Sequence, residues 1–247
     1  MLSDVLPLII DLPRPPDWAR MGEHLPYEWV QNALEFSGKV SLRQRRLPAE
    51  QVVWLVIGLA IYRSKSVKEI VDSLDLAFAT EDGRCITSSA TTQARQRIGA
   101  EPLQWLFEHS SRHWVKEDEQ SYLFQGLHLL AMDGTTLRLA DSAENREHFG
   151  AQSYANDTVS SYPQAKGVTL MMVATQLVRD ARFGSYKTSE INFAHELLPS
   201  IPDDSLTVVD RGYLSAELLM HLVREGRNRV VKTVAQRYPE RSTKRLT

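Results

Sequence analysis

Cysteine is nearly absent. A single Cys85 leaves no internal disulfide framework and no cysteine-rich zinc site. A reducing cytosol is the expected compartment. No run of about 18 or more apolar residues occurs, so no transmembrane helix and no membrane partner are expected. The apolar N-terminus, MLSDVLPLII, lacks a preceding basic segment and contains Asp4, so no cleaved signal peptide is expected. Glycine (12) and proline (11) are too few for a collagen-like or low-complexity chain. Excess charge is missing too: 29 basic against 31 acidic residues give a net charge of −2. Any nucleic-acid binding must therefore rest on local basic blocks. What remains is 247 residues with 43% hydrophobic content, enough for a sizeable core in one large or two modest domains.

The N-terminal half reads as helical. Four prolines between Pro13 and Pro26 mark an irregular lead-in. Tyr27 to Phe36 is a short helix ending near Gly38. Lys39, Arg43, Arg45 and Arg46 then form a basic block. Pro48 suits the first turn of the next helix, whose apolar face runs through Val52, Val53, Leu55, Val56, Leu59 and Ala60. Ser66-Val67-Lys68-Glu69 is a capping-box pattern opening a helix through about Phe78. After the TEDGRC loop, Ser88 or Ser89 caps a polar helix carrying Gln93, Arg95, Gln96 and Arg97. Helix, loop and Arg/Gln helix resemble a helix-turn-helix reader, with side chains suited to phosphates and base edges. The competing reading is an ordinary solvated helix face. Pro102 opens a last helix through about Val115, with Leu103, Leu106 and Phe107 inward. His109 and His113 stand one helical turn apart on it, but no third ligand accompanies them, so no zinc site is expected.

The period changes at about Leu123. Leu127 to Met132 is an apolar strand ending at Asp133-Gly134, and Thr135 to Leu139 alternates. Gly167 to Val178 is a second strand and Ala181 to Tyr186 a third, joined through an Arg179-Asp180 turn. A helix over Ile191 to Leu198 stops at Pro199. Leu206 to Val209 is a buried strand ending at Asp210. Ser215 to Arg224 is a helix and Arg229 to Val234 a final strand. The order β-β-β-α-β-α-β argues for a mixed sheet with parallel pairing and covering helices. The fold class is therefore α+β: a helical N-terminal domain followed by an α/β domain.

Asp133 and Asp210 share a setting, each closing a hydrophobic strand. Carboxylates at that edge of a buried sheet lie where ligand and metal sites gather. Two of them together call for a cation, and Mg2+ takes oxygen ligands while keeping waters and substrate phosphates. Either Asp taken singly reads rather as a turn residue (Asp133) or a surface ion-pair partner (Asp210); the two together favour the metal reading.

The segments LLAMDGTTLRLADSAENREHFG and LTVVDRGYLSAELL resemble the first and second acidic motifs of bacterial insertion-sequence DDE transposases of family four. SLRQRRLPAEQVVWLVIGLAIYRSKSVKEIVDSLDLA and SSATTQARQRIGAEPLQWLFEHSSRHW are similar to that family's N-terminal domain. The likeness spans about Tyr27 to Thr233. It implies a ribonuclease-H-like fold and cleavage and strand transfer of DNA at element ends. It also implies Mg2+, or Mn2+, held by two Asp and one Glu. Asp133 and Asp210 would be the first two ligands and catalytic carboxylates. The family's Glu lies in a Tyr-x-x-Arg-x-x-x-Glu pattern after a long β insertion; here Tyr238 and Arg241 fit, but the Glu position falls on Arg245. Glu240 lies in a basic tail, and Glu190 and Glu196 read as helix-face residues or as a family motif without metal contact. The resemblance therefore implies a truncated form, with an incomplete ribonuclease-H-like domain.

The expected organisation is a lead-in over 1–26, a helical DNA-binding domain over 27–120, a catalytic domain over 121–235 and a basic tail over 236–247. Implied partners are double-stranded DNA (terminal inverted repeats and target) and a second copy in a synaptic complex, with no small-molecule substrate. A nucleoid-associated location in the cytoplasm follows. Arg43, Arg45, Arg46, Gln93, Arg95, Gln96 and Arg97 are the candidate DNA contacts. A second basic block holds Arg224, Arg227, Arg229, Lys232, Arg237, Arg241, Lys244 and Arg245. Two other functions compete: a transposon-end binder that inhibits the complete enzyme without cutting, and an inert remnant.

Overall fold

The computed structural model describes residues 22–40, 47–73, 87–118, 122–153, 159–213, 215–218, 220 and 229–233. The chain divides into two compact units, Met1–Ser110 and Ser111–Thr247. No described helix is long and apolar enough to cross a membrane.

In the first unit, α1 spans Tyr27–Phe36 and buries Val30, Ala33 and Leu34, the i, i+3, i+4 stripe of a helix with one inward face. Its end is fixed by Gly38 at φ 65°, beyond which Lys39 N–H donates to Leu34 O at 2.8 Å and Gly38 N–H to Glu35 O at 3.0 Å. This paired bonding satisfies carbonyls the helix leaves open, and glycine takes the left-handed position at no steric cost. Helix α2, Ala49–Ile61, follows Pro48 directly and buries Val52, Val53, Leu55 and Gly58. The expected apolar face is narrower than its sequence, since Val56 and Leu59 are half-buried and Ala60 is exposed. Helix α3, Val67–Ser73, opens with the expected capping box. Ser66 N–H donates to Glu69 Oε2 at 2.7 Å, and Glu69 N–H donates back to Ser66 Oγ at 3.3 Å. Leu74, Phe78 and the TEDGRC loop lie outside the described residues, so the junction of the helix-turn-helix reading does too.

Helix α4 spans Ser88–Ile98. Its cap is Thr87, not Ser88 or Ser89: Ala90 N–H donates to Thr87 Oγ1 at 3.2 Å. Three hydroxyl residues in a row offer three possible caps, and the one whose partner lies three residues on inside the first turn wins. Thr91, Ala94 and Ile98 are buried and α4 packs on α2. Helix α5 runs from Glu101 to Asp118, longer at both ends than expected. Leu106 is buried, while Leu103 and Phe107 are half-buried.

The second unit is built on one mixed sheet. Strand β1 (Leu123–Phe124) forms a hairpin with β2 (Leu127–Arg138) through Gln125 and Gly126, both at positive φ. Strands β3 (Gln164–Met172), β4 (Val178–Ser185), β5 (Ser205–Val209) and β6 (Arg229–Thr233) complete it in the order β4-β3-β2-β5-β6. β2-β3 and β3-β4 are antiparallel; β2-β5 and β5-β6 are parallel. This is the ribonuclease-H-like arrangement. Helix α7, Glu190–Leu197, packs on β3 and β4 and passes into a 3-10 turn over Leu198–Ser200. Leu130, Met132, Val168, Leu170, Phe193, Leu197 and Val209 form its buried core.

Three expectations change here. β2 does not stop at Asp133; it continues to Arg138 on β3 alone, because β5 pairs only with residues 128–132 of it. β3 is Gln164–Met172 rather than Gly167 to Val178, and the reversal lies at residues 173–177, with Gln176 at φ 59°. Arg179-Asp180 is not a turn but part of β4. Asp180 can stay buried in a strand because Arg182 Nη1 donates to it at 2.5 Å, Ala181 N–H at 2.8 Å, and Ser200 Oγ also donates. A further helix, α6 over Ala143–Phe149, was not expected; it has a Ser142 cap but buries no residue, so it leaves no apolar period.

Candidate active site

Parallel pairing of β2 with β5 runs out at Met132 opposite Val209. The next residue on each strand is an aspartate. Asp133, inside β2, and Asp210, just past β5, thus stand at the same level of two neighbouring strands, and both are exposed. Asp133 Oδ1 accepts from Gly134 N–H at 2.8 Å. Asp210 Oδ1 accepts from Gly212 N–H, inside a 3-10 turn over Arg211–Tyr213 that follows β5 without a break. Each carboxylate is therefore oriented by one backbone donor and keeps lone pairs free for a cation.

Behind the pair lie residues to which the sequence reading gave no role at the site. Tyr213 is 2% exposed, and its hydroxyl donates to Glu190 Oε2 at 3.1 Å. Glu190 is the first residue of α7, next to the Ser189 cap. Both crowd Gly134: a Cβ there would stand 2.6 Å from Glu190 Cδ and 2.8 Å from Tyr213 Oη. Burial pushes the Tyr213 phenol well above its ordinary range, and the charges of Glu190, Asp133 and Asp210 push it further. Three carboxylates therefore bear on one buried hydroxyl, which stays protonated as a donor. Tyr213 was visible in the DRGY segment, but only its partner across the fold gives it a role. Glu196, the other helix-face glutamate, faces Arg182 at 3.7 Å instead.

Among the described residues no three His, Cys, Asp or Glu side chains group to hold a metal. Asp133 and Asp210 are a pair of hard oxygen donors. That pair fits Mg2+ or Mn2+, which accept one or two protein carboxylates and complete their shell with water and phosphate oxygens. His109 is an aromatic packing residue, stacked on Trp105 at 4.7 Å and edge-on to Trp29 at 4.8 Å.

On α4, Gln93, Arg95, Gln96 and Arg97 are all exposed, opposite the buried Thr91, Ala94 and Ile98. Arg97 Nη2 also donates to Leu47 O at 3.2 Å, which ties it to the chain entering α2. Arg43, Arg45 and Arg46 lie outside the described residues, as do Glu240 and the basic tail. Lys39, half-buried, faces the exposed Glu101 at 3.9 Å, a pair of small energetic weight.

Comparison with known proteins covers both halves. Residues 16–108 match the family described as insertion element 4 transposase N-terminal, and residues 125–246 match the transposase DDE domain. The InsZ protein of Escherichia coli (strain K12) is 34% identical over 236 residues, covering 93% of this chain and 76% of InsZ. Transposase InsG for insertion sequence element IS4, from the same organism, is 36% identical over 199 residues. That match covers 81% of this chain and 44% of InsG. A piggyBac transposase synaptic complex with hairpin DNA aligns at a TM-score of 0.41 and 14% identity, covering 87% of this chain and 48% of that one. With both domains matched in order and a relative above 30% identity over most of its length, the chain belongs to the insertion-element-4 family of DDE transposases.

Proposed function

We infer that the chain carries the metal-dependent chemistry of that family: cleavage and strand transfer of DNA at insertion-sequence ends. The observation that carries this reading is the β2-β5 register, which brings Asp133 and Asp210 to one edge of the sheet as an oriented pair of oxygen donors. Asp133 and Asp210 would hold Mg2+, or Mn2+, together with phosphate oxygens of the DNA. When bound, such an ion neutralises phosphate charge and lowers the pKa of an attacking water. The chain's part is to fix both carboxylates through Gly134 and Gly212, so that little reorganisation accompanies charge development.

The helical half, over 27–120, supplies the DNA contacts in this reading, and the α/β half, over 121–235, the chemistry. Gln93, Arg95 and Gln96 form the exposed face offered to double-stranded terminal repeats, with Arg43, Arg45 and Arg46 adding phosphate contacts. Arg97 supports α4 as well as facing solvent. A second copy at the partner end of the element would complete a synaptic complex.

The test is nicking of terminal-repeat DNA in Mg2+ or Mn2+. The reading expects metal-dependent product that vanishes in Asp133→Ala and Asp210→Ala. The exposed α4 face supports a second reading, a binder of transposon ends that does not cut. It expects a gel shift lost in Arg95→Ala and no product with either metal.

A further inference from the structure

The site has a support that the acidic motifs do not name. Gly134, Glu190 and Tyr213 belong to three elements, β2, the start of α7 and the turn after β5, and they converge at one point. We propose that Tyr213 and Glu190 are positioning residues: their hydrogen bond, seated where Gly134 has no side chain, locks the Asp210 turn against the Asp133 strand. This rests on the reading of Asp133 and Asp210 as the metal-holding pair.

The geometry links both aspartates to the same lock. Tyr213 N–H donates to Asp210 O at 3.3 Å, so the buried ring and the second carboxylate ride on one turn. Gly134, which the Tyr213–Glu190 pair contacts, is also the residue whose N–H orients Asp133. Any side chain at 134 would occupy the space of the pair. Phenylalanine at 213 would fill the core equally well but leave the Glu190 carboxylate without its donor. That hydroxyl is therefore needed for something other than packing, and the two groups it holds in register are the aspartate turn and the aspartate strand. Glu190 already accepts from Tyr213, which sets it behind the pair as a brace.

The experiment uses the full chain with Tyr213→Phe and Glu190→Gln, reading amide hydrogen exchange, Mn2+ binding by titration, and melting. Loss of a hydrogen bond to a charged group is expected to speed exchange at Gly134 and Gly212 about tenfold in Tyr213→Phe and to weaken Mn2+ binding by about the same factor. Exchange elsewhere in β3 and β4 stays unchanged. The Glu190→Gln amide oxygen still accepts from Tyr213, so that variant keeps parental exchange and stays within about threefold in Mn2+ affinity, the rest being screened charge. Unchanged exchange at both glycines in Tyr213→Phe overturns the lock. So does a Glu190→Gln variant that loses Mn2+ as fully as Asp133→Ala, because Glu190 would then be a ligand. If the parent chain binds no Mn2+, the metal reading of the aspartates fails by itself, and the exchange result still decides the lock.

Discussion

The candidate site draws on side chains whose neighbours are distant in sequence. Asp133 and Asp210 were legible because each ends an apolar run. Tyr213 and Glu190 were not, because a hydrogen bond between elements leaves no local period. Gly134 is a position where an added side chain meets close neighbours. Adding one methyl group there, as in Gly134→Ala, drives a Cβ into the rigid Tyr213 hydroxyl and the Glu190 carboxyl. A loss of about 1–3 kcal/mol is expected, measured by urea unfolding, and an unchanged midpoint would refute the crowding. Alkaline pH offers an independent reading. Tyr213 keeps its proton in the folded chain above its ordinary value of 10.0, whereas the unfolded residue ionises there. Above that pH the unfolded state binds fewer protons, so stability falls as pH rises. The parent should lose stability more steeply above pH 10 than Tyr213→Phe does, and equal slopes would contradict the raised phenol.

Helices and strands divide into those whose bounds follow from chain chemistry and those set by partners. α1 matched its expected span because proline opens it and a positive-φ glycine closes it. The capping box of α3 held for the same local reason. β4 was misjudged because Arg179 and Asp180 are polar, and polarity inside a strand reads as a turn unless the satisfying groups are known. Those groups, Arg182 and Ser200, are a strand neighbour and a residue after α7. Asp180→Ala is therefore expected to cost about 1–3 kcal/mol, leaving Ser200 Oγ without this acceptor and Arg182 with Ala181 O and Glu196 in its place. Equal thermal and urea stability of the variant would show that water replaces it. On α4, Thr87→Ala should cost about 1 kcal/mol by loss of the cap. Arg95→Ala should leave stability within ±0.5 kcal/mol yet lower the slope of log binding against log salt by about 1 if it meets a phosphate. A salt slope equal to the parent's would remove Arg95 from the interface.

At the scale of the molecule, the order of strands was readable because helix and strand periods alternate late in the chain, while the bounds of β2 were not. β2 outruns β5 because its upper half pairs only with β3, a fact of pairing rather than of composition. If Asp133 and Asp210 hold the ion, its effect belongs to the second of the two compact units. Mn2+ at 100 times its dissociation constant should stabilise the fold that contains Asp133 and Asp210 by about 2.7 kcal/mol. In calorimetry the shift belongs to the transition of the 111–247 unit and is absent in Asp133→Asn; a shift that survives the substitution would place the ion elsewhere.

The overhang of β2 has another outcome. Among the described residues, no strand pairs with the β5 side of β2 beyond Met132; Gly134 N–H is taken up by Asp133 Oδ1, and further along Leu137 is 45% exposed. Such a margin invites a strand from another molecule, and charge is a common guard against it. Asp133 stands at the head of that margin with Asp210 beside it. The residues that would gather a cation would then also place charge against such pairing. Substituting Asp133 by Ala should make concentrated protein scatter more light in metal-free buffer, apart from any loss of cutting.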